Sequence, residues 1–319
     1  MTQEQPTISR PPTSSELILD RSFRALARGL ASLIVVVMVL LVCLIAIQAS
    51  PAIRGYGLSF VSGTTWNAGK EQFGILPEIW GTLYSSLLGV ALGSLFGVAV
   101  AIFLTEDFIP PWLQDLFKHI VNLLAAIPSV VYGLWGIFVV IPTIRPPCNW
   151  LHDHLGWIPI FGTPLLSVGM LPAAAVLAIM VLPTVSAISR DALASVNPRL
   201  REAAYGLGAT RWEAIRTVIV PTASRGIYGS IILGFGRALG ETMALAMLVG
   251  STSTISWSLF SPGNTLAALL ANRFPEAASP MELGVLMYAA LVLLALTLIV
   301  NVLGELILMR GTAAAAPAR

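Results

Sequence analysis

The stretch GSIILGFGRALGETMALAMLVG, Gly229–Gly250, is apolar on both sides of an arginine and a glutamate. A membrane span needs about 20 mostly apolar residues. This run supplies them, so it reads as a transmembrane helix, with Gly226–Val249 as its bounds and Arg237 and Glu241 near its middle. In one continuous helix the two charges, four residues apart, share a face. A charge at mid-bilayer costs roughly 2.5–3.5 kcal/mol on insertion scales, and Arg placed before Glu is the weaker order for a local helix pair. Helix propensity therefore gives no reason for their presence.

Working outward, the whole chain has the same character. Of 319 residues 56% are hydrophobic and 11% charged, with mean hydropathy +0.83, against roughly 25% charged in an average soluble domain. Six apolar runs are long enough to span: Leu26–Gln48, Trp80–Leu104, Ile120–Ile141, Leu166–Ile188, Gly226–Val249 and Glu282–Leu308. The expectation is an all-α polytopic membrane protein with six transmembrane helices, organised as a cytoplasmic arm over residues 1–20, a transmembrane domain over 21–310 and a tail over 311–319. The first run follows some twenty polar residues with no early small-residue cleavage site, so it reads as a retained span. Thirteen Lys and Arg residues fall on the side of the two termini and of residues 189–225, and four on the other. By the positive-inside rule the termini are cytoplasmic. The basic residues are scattered, with no stripe for nucleic acid. Cys43 and Cys148 form no disulfide framework.

Along the chain, residues 50–79 read as an external segment with a short interfacial helix. Gly89, Gly93 and Gly97 repeat every four residues, which places three glycines on one helix face for close packing. Pro128 and Gly133 fall inside the third expected span, where a proline kinks the helix; either plain packing or a path-lining role fits. The segment Ser189–Ser224 is rich in helix formers. Asn197 precedes Pro198 as a helix cap, Gly206 and Gly208 interrupt, and Thr210 with Glu213 forms a capping box. It reads as a helix–turn–helix bracket under the membrane, a coupling loop over 190–222.

Enzyme signatures are missing from the sequence: there is no GxxxxGK[ST], HExxH, GxSxG or CxxC. The chain has no recognisable means of binding ATP, and no cofactor of its own is expected. Cys148, His152, Asp153 and His154 carry zinc-type ligand atoms in an external loop, but their spacing matches no strong pattern. An interfacial loop anchored by Trp150 and Trp157 accounts for them, and no metal is expected. Arg237 and Glu241 allow two readings. One is a buried ion pair that locks two helices. The other is a cavity wall, with the guanidinium fork matched to an oxyanion, Glu241 tuning it, and Thr242 and the hydroxyls of Ser251–Ser256 adding donors.

Several stretches also carry a resemblance. EAAYGLG (Glu202–Gly208) followed by VIVP (Val218–Pro221) resembles the EAA loop of ABC importer permeases, with Val218 and Val220 where that pattern has Ile and Leu. WNAGKEQFGILPEIWGTL (Trp66–Leu83), AIFLTE (Ala101–Glu106), LAAIPSVVYGLWG (Leu124–Gly136) and GRALGETMA are similar to the PstC family of phosphate importer permeases. The resemblance covers residues 20 to 308. It implies the type I ABC importer permease fold in a bacterial inner membrane, a PstA-like permease partner, two PstB-like ATPase subunits that bind the ATP, a phosphate-binding protein outside, and inorganic phosphate as cargo. It further implies ATPase coupling through Arg201, Glu202, Ala203, Ala204, Gly208 and Arg211, and phosphate passage at Arg237 and Glu241. Another oxyanion such as sulfate or molybdate, a proton-coupled anion carrier with Glu241 as the proton site, and a sensor without flux are the competing readings.

Overall fold

The computed structural model describes residues 13–106 and 108–313. Its helices are α1 Ser14–Tyr56, α2 Ser59–Ser62, α3 Leu76–Thr105, α4 Pro111–Ala126, α5 Ser129–Trp135, α6 Ile141–Leu155, α7 Met170–Ala194, α8 Pro198–Gly206, α9 Arg211–Ala214, α10 Val220–Leu239, α11 Met243–Leu248, α12 Leu266–Arg273 and α13 Pro280–Ala313. A two-residue antiparallel ladder pairs β1 (Trp66–Asn67) with β2 (Gln72–Phe73). Among the described residues, six helices are long and apolar enough to cross a membrane. The chain is a multi-pass membrane protein.

It divides into two compact units, Met1–Gln48 and Ala49–Arg319. The described part of the first is the body of α1, whose Leu, Ile and Val side chains are almost all exposed, as a lipid-facing helix requires. The arm expected over residues 1–20 falls outside the described residues up to residue 12, and from Ser14 the chain is already helical. Of the expected tail, residues 314–319 lie outside the described residues.

The second unit is built around α3, α7 and α10. Lipid tails are as apolar as leucine, so helix association depends on close packing rather than on the hydrophobic effect. The glycine repeat supplies that packing: a Cβ at Gly89 would stand 2.8 Å from Leu177, one at Gly93 2.8 Å from the Ala178 carbonyl, and one at Gly97 3.0 Å from Val185. This ascending register makes α3 and α7 parallel. Gly234 meets Val181 and Val185 while Gly226 meets Ala192, so α10 runs antiparallel to both. Val176, Leu177, Val181 and Val185 of α7 are buried at the centre of the main cluster.

Two expected spans are displaced. The third runs over Ser129–Leu155 rather than Ile120–Ile141, because Ile127, preceding a proline, is extended (φ −69°, ψ 127°) and α4 ends there. Pro128 caps the new helix instead of kinking an old one, and the Tyr132 hydroxyl donates to the freed Leu124 carbonyl at 2.8 Å. The segment read as an external loop, Pro146–Trp157, is thereby mostly helical. The fifth span runs over Arg211–Leu239 rather than Gly226–Val249. Both displaced helices contain a π-turn just ahead of a proline: Gly136–Val140 before Pro142, and Ile215–Ile219 before Pro221. Proline has no N–H and crowds the carbonyl four residues back, and the wider turn makes room for it.

Candidate translocation and coupling sites

Helix α10 stops at Leu239, where Gly240 and Glu241 turn the chain back onto the Arg237 and Ala238 carbonyls at 3.2 and 3.3 Å. Helix α11 begins two residues later, and residues 249–265 are irregular, with left-handed backbone at Gly250 (φ 107°) and Ser251 (φ 54°). Irregular backbone beside membrane helices is tolerated only where protein or a watery cavity meets its polar groups. Here protein does: Gly169 donates to the Leu248 carbonyl, Gly263 to Val249, and Thr252 to Gly263, each at 2.9 Å. Interrupted helices of this kind are a feature of transport sites.

The break corrects the sequence reading of the charged pair. Arg237 lies in the last turn of α10, where a cation favours the helix dipole, and Glu241 lies past the helix end. They share no helix face, and no ion pair joins them among the described residues. The Arg237 side chain is exposed, and its Nη1 donates to the Thr184 hydroxyl at 3.4 Å. Thr184 is close to the middle of α7, so Arg237 stands near mid-depth. It opens on a cavity of about 590 Å³ between α10 and α13, whose polar lining includes Asn301 and Glu305. Neither Glu241 nor Thr242 lines this cavity. Thr242 donates its hydroxyl to the Gly240 carbonyl at 3.0 Å, which makes it part of the break. Asn301 and Glu305 escaped the sequence reading although both interrupt an apolar span four residues apart, a signal that was there to be used.

The hydroxyl-rich loop has other partners than an anion. Ser253 donates to Oε1 of Glu78, a fully buried carboxylate in the first turn of α3, and the Asn264 amide donates to the same oxygen at 3.5 Å. Oε2 of Glu78 makes no hydrogen bond. The Thr82 hydroxyl accepts from Leu266 N–H at 2.9 Å, and Trp80 and Tyr84 donate to the carbonyls of Ser256 and Trp257 at 3.1 and 2.9 Å. Asn272 donates to Ser251 at 3.0 Å. The first turns of α3 thus hold the 251–265 loop in place. Nothing in the sequence marks Glu78, since a lone acid at a helix start is ordinary.

At the opposite end of the bundle, α8 carries the EAA stretch. Its start is the expected one: Asn197 Oδ1 accepts from Arg199 N–H at 3.0 Å, with Pro198 in the first position. Its end is a Schellman closure, with Gly208 donating to the Tyr205 carbonyl at 2.9 Å and Ala209 to Ala204 at 3.1 Å. The closure needs φ of 86° at Gly208, which a side chain would resist. Thr210 and Glu213 form the expected capping box, and α9 runs on through the π-turn into α10. The loop between spans is therefore shorter than 190–222, running from Ser195 to Thr210.

Arg201 points inward. Its Nη1 donates to Oε2 of Glu106 at 3.2 Å, and its Nη2 stands 3.2 Å from Oε1 as an ion pair while donating to the Leu193 carbonyl at 3.1 Å. It ties α8 to the ends of α3 and α7. Ala204 is buried beside it, while Glu202, Ala203 and Gly208 are exposed. Leu207, 89% exposed, and Trp212, 62% exposed, add an apolar tip that the sequence reading did not single out.

Cys148, His152 and His154, which carry zinc-type ligand atoms, each have other partners. Cys148 is buried against Leu165 and Phe260, His152 Nδ1 bonds the Phe161 carbonyl at 2.8 Å, and His154 stacks on Trp150.

The family model for binding-protein-dependent transport system inner membrane components matches residues 89–310. The phosphate transport system permease protein PstC of Xylella fastidiosa strain Temecula1 is 39% identical over 264 residues, covering 81% of each chain. The protein of the same name from Mesorhizobium japonicum is 36% identical over 298 residues, covering 92% of this chain and 91% of its own. Among solved structures, the inward-facing MetNI methionine ABC transporter aligns over 74% of this chain and 95% of its own at 21% identity, TM-score 0.55. A bacterial ABC transporter for alginate import aligns over 92% and 97% at 17% identity, TM-score 0.60. Those likenesses show the fold, that of ABC importer permeases. With the family model spanning most of the transmembrane region and relatives above one-third identity along nearly the full length, the chain belongs to the binding-protein-dependent transport system inner membrane components.

Proposed function

We propose that the chain is the permease subunit of an ATP-driven importer of inorganic phosphate, oriented with both termini and α8 in the cytoplasm of a bacterium. The observation that carries the reading is Arg237: an exposed guanidinium near mid-depth, at a helix break and on a cavity, in a chain whose relatives are named as phosphate permeases. Its planar fork suits a tetrahedral oxyanion. Glu241, at the break, and Thr242, which braces it, set the path of the chain just beyond that fork.

Coupling follows from α8. A separate ATPase pair binds the ATP and docks on the exposed Glu202, Ala203, Gly208 and Leu207, and Arg211 lies at the start of the helix that leads on to Arg237. Arg201 and Ala204 anchor the bracket from behind. Because α9, the π-turn and α10 are continuous, movement of α8 is transmitted along one helix to Arg237, switching the cavity between the two sides. A PstA-like second permease completes the path, and a phosphate-binding protein delivers the anion from outside.

The test is uptake of radiolabelled phosphate by bacterial cells lacking their own phosphate permease subunit. The wild-type chain restores uptake. Arg237→Gln, at equal abundance and with the same amount of co-purifying ATPase, does not. Uptake of sulfate or molybdate in place of phosphate would replace the cargo, and uptake with no ATPase in the complex would replace the mechanism.

A further inference from the structure

We propose that Asn301 and Glu305 of α13 form the release side of the anion path, with Glu305 as a carboxylate that competes with departing phosphate for the Arg237 guanidinium. This rests on the phosphate reading above and adds to it two residues that carry no assigned role.

The geometry comes from the α10–α13 contact. A Cβ on Gly236 would lie 2.7 Å from Asn301 Oδ1, and one on Gly304 would lie 2.8 Å from the Ile232 side chain. The two helices are therefore antiparallel and close. Asn301 is level with Gly236, next to Arg237, and Glu305 lies one turn, about 6 Å, nearer the end that carries α8. All three line the same cavity. The outward surface of α13 at these levels is otherwise Leu298, Ile299, Val302, Leu303 and Leu306, as a lipid-facing helix should be. Asn301 and Glu305 are the departures, and they fall on the cavity side.

The electrostatics give them distinct work. Glu305 is exposed, and among the described residues it forms no ion pair. A carboxylate in an anion path repels the cargo, which would be a defect if the site had only to bind. It is an advantage if the site must also release, because an anion held by the planar guanidinium fork leaves slowly unless another partner of the same geometry takes its place. Glu305 is on the release side of Arg237, so the exchange of phosphate for carboxylate runs in the direction of import. Asn301, between them, offers a neutral amide donor that can hold an oxyanion in passing without trapping it.

The test is equilibrium binding of radiolabelled inorganic phosphate to the purified permease–ATPase complex, beside uptake in cells. With Glu305→Gln the complex binds phosphate at least about fivefold more tightly, the low end of usual coupling between interacting sites, while the uptake rate falls. Glu305→Asp, which keeps the charge, lies between that variant and wild type. Tighter binding with slower transport is not what a damaged fold produces. If Glu305→Gln binds no better than wild type, or loses binding and uptake together while the complex remains assembled, the inference is overturned. Asn301→Asp is the independent arm: a second carboxylate beside Arg237 weakens phosphate binding by a similar factor, and unchanged binding there also counts against the proposal. A wild-type complex that moves no phosphate at all would instead overturn the proposed function, so the two failures are distinguishable.

Discussion

Replacing Arg201 by alanine removes a cation from the inner side of α8 without touching its exposed side. Its partner Glu106 has a side chain only 8% exposed, and Arg201 itself is 23% exposed. Two unit charges about 4 Å apart attract by roughly 4 kcal/mol at the effective dielectric near a protein surface, and removing one member of a buried pair costs about 3–5 kcal/mol. The partial exposure of Arg201 discounts this to about 2–3 kcal/mol. A further hydrogen bond to the Leu193 carbonyl is lost as well. The expected outcome is local: amides of α8 and of Leu207–Thr210 exchange with deuterium about 30- to 140-fold faster, since about 1.4 kcal/mol is tenfold, while α3 and α7 keep their protection. Transport then uncouples from ATP hydrolysis although Glu202, Ala203 and Leu207 are intact. Arg201→Lys keeps the charge, loses the fork and lies between. The decisive control is the double mutant Arg201→Ala, Glu106→Ala, which should be less damaged than the two single changes added together. Strict additivity, or wild-type exchange in Arg201→Ala, would refute the reasoning.

The remaining expectations are shorter. Gly93→Val drives a branched side chain into the Ala178 backbone and costs about 1–3 kcal/mol, read as a lower melting temperature of the purified complex; an unchanged melt would mean that α3 and α7 are not in contact there. Thr210→Ala removes the cap of α9 at a cost of about 0.5–2 kcal/mol, and faster exchange confined to residues 210–217 is the readout. Glu78→Ala frees Ser253 and Asn264 and loosens the 251–265 loop, so a protease acting from that side cuts within the loop; Glu78→Gln, which keeps an acceptor for both, should resist.

Much of this was legible in the sequence because its causes are local. Helix caps at Asn197 and Thr210 depend on neighbouring residues, so the bracket could be read before it was seen. The glycine repeat at 89, 93 and 97 is a property of one helix and declared its packing face. The ends of the third and fifth spans were not legible by hydropathy, which is continuous across both breaks. Yet Pro128 and Gly240 each sat at the point of interruption, and local backbone chemistry overrode the apolar run. The reading of Arg237 and Glu241 as one helical pair failed for that reason. For Arg201 the sequence shows that α8 exists but not which side of it meets Glu106, 95 residues away. Asn301 and Glu305 stand out in the sequence as polar breaks in an apolar run, whereas Glu78 is defined by the loop packed against it, which only the fold brings there.

The central claim is that this chain carries phosphate through the membrane past Arg237 at the expense of ATP hydrolysed by a partner. The most direct measurement is radiolabelled phosphate accumulation in proteoliposomes holding the purified complex, with binding protein on one face and ATP on the face of α8. The account predicts accumulation that requires ATP, is lost in Arg237→Gln with ATP hydrolysis retained, and is not displaced by excess sulfate or molybdate. Equal accumulation by the Arg237→Gln complex, or accumulation without ATP, would contradict it.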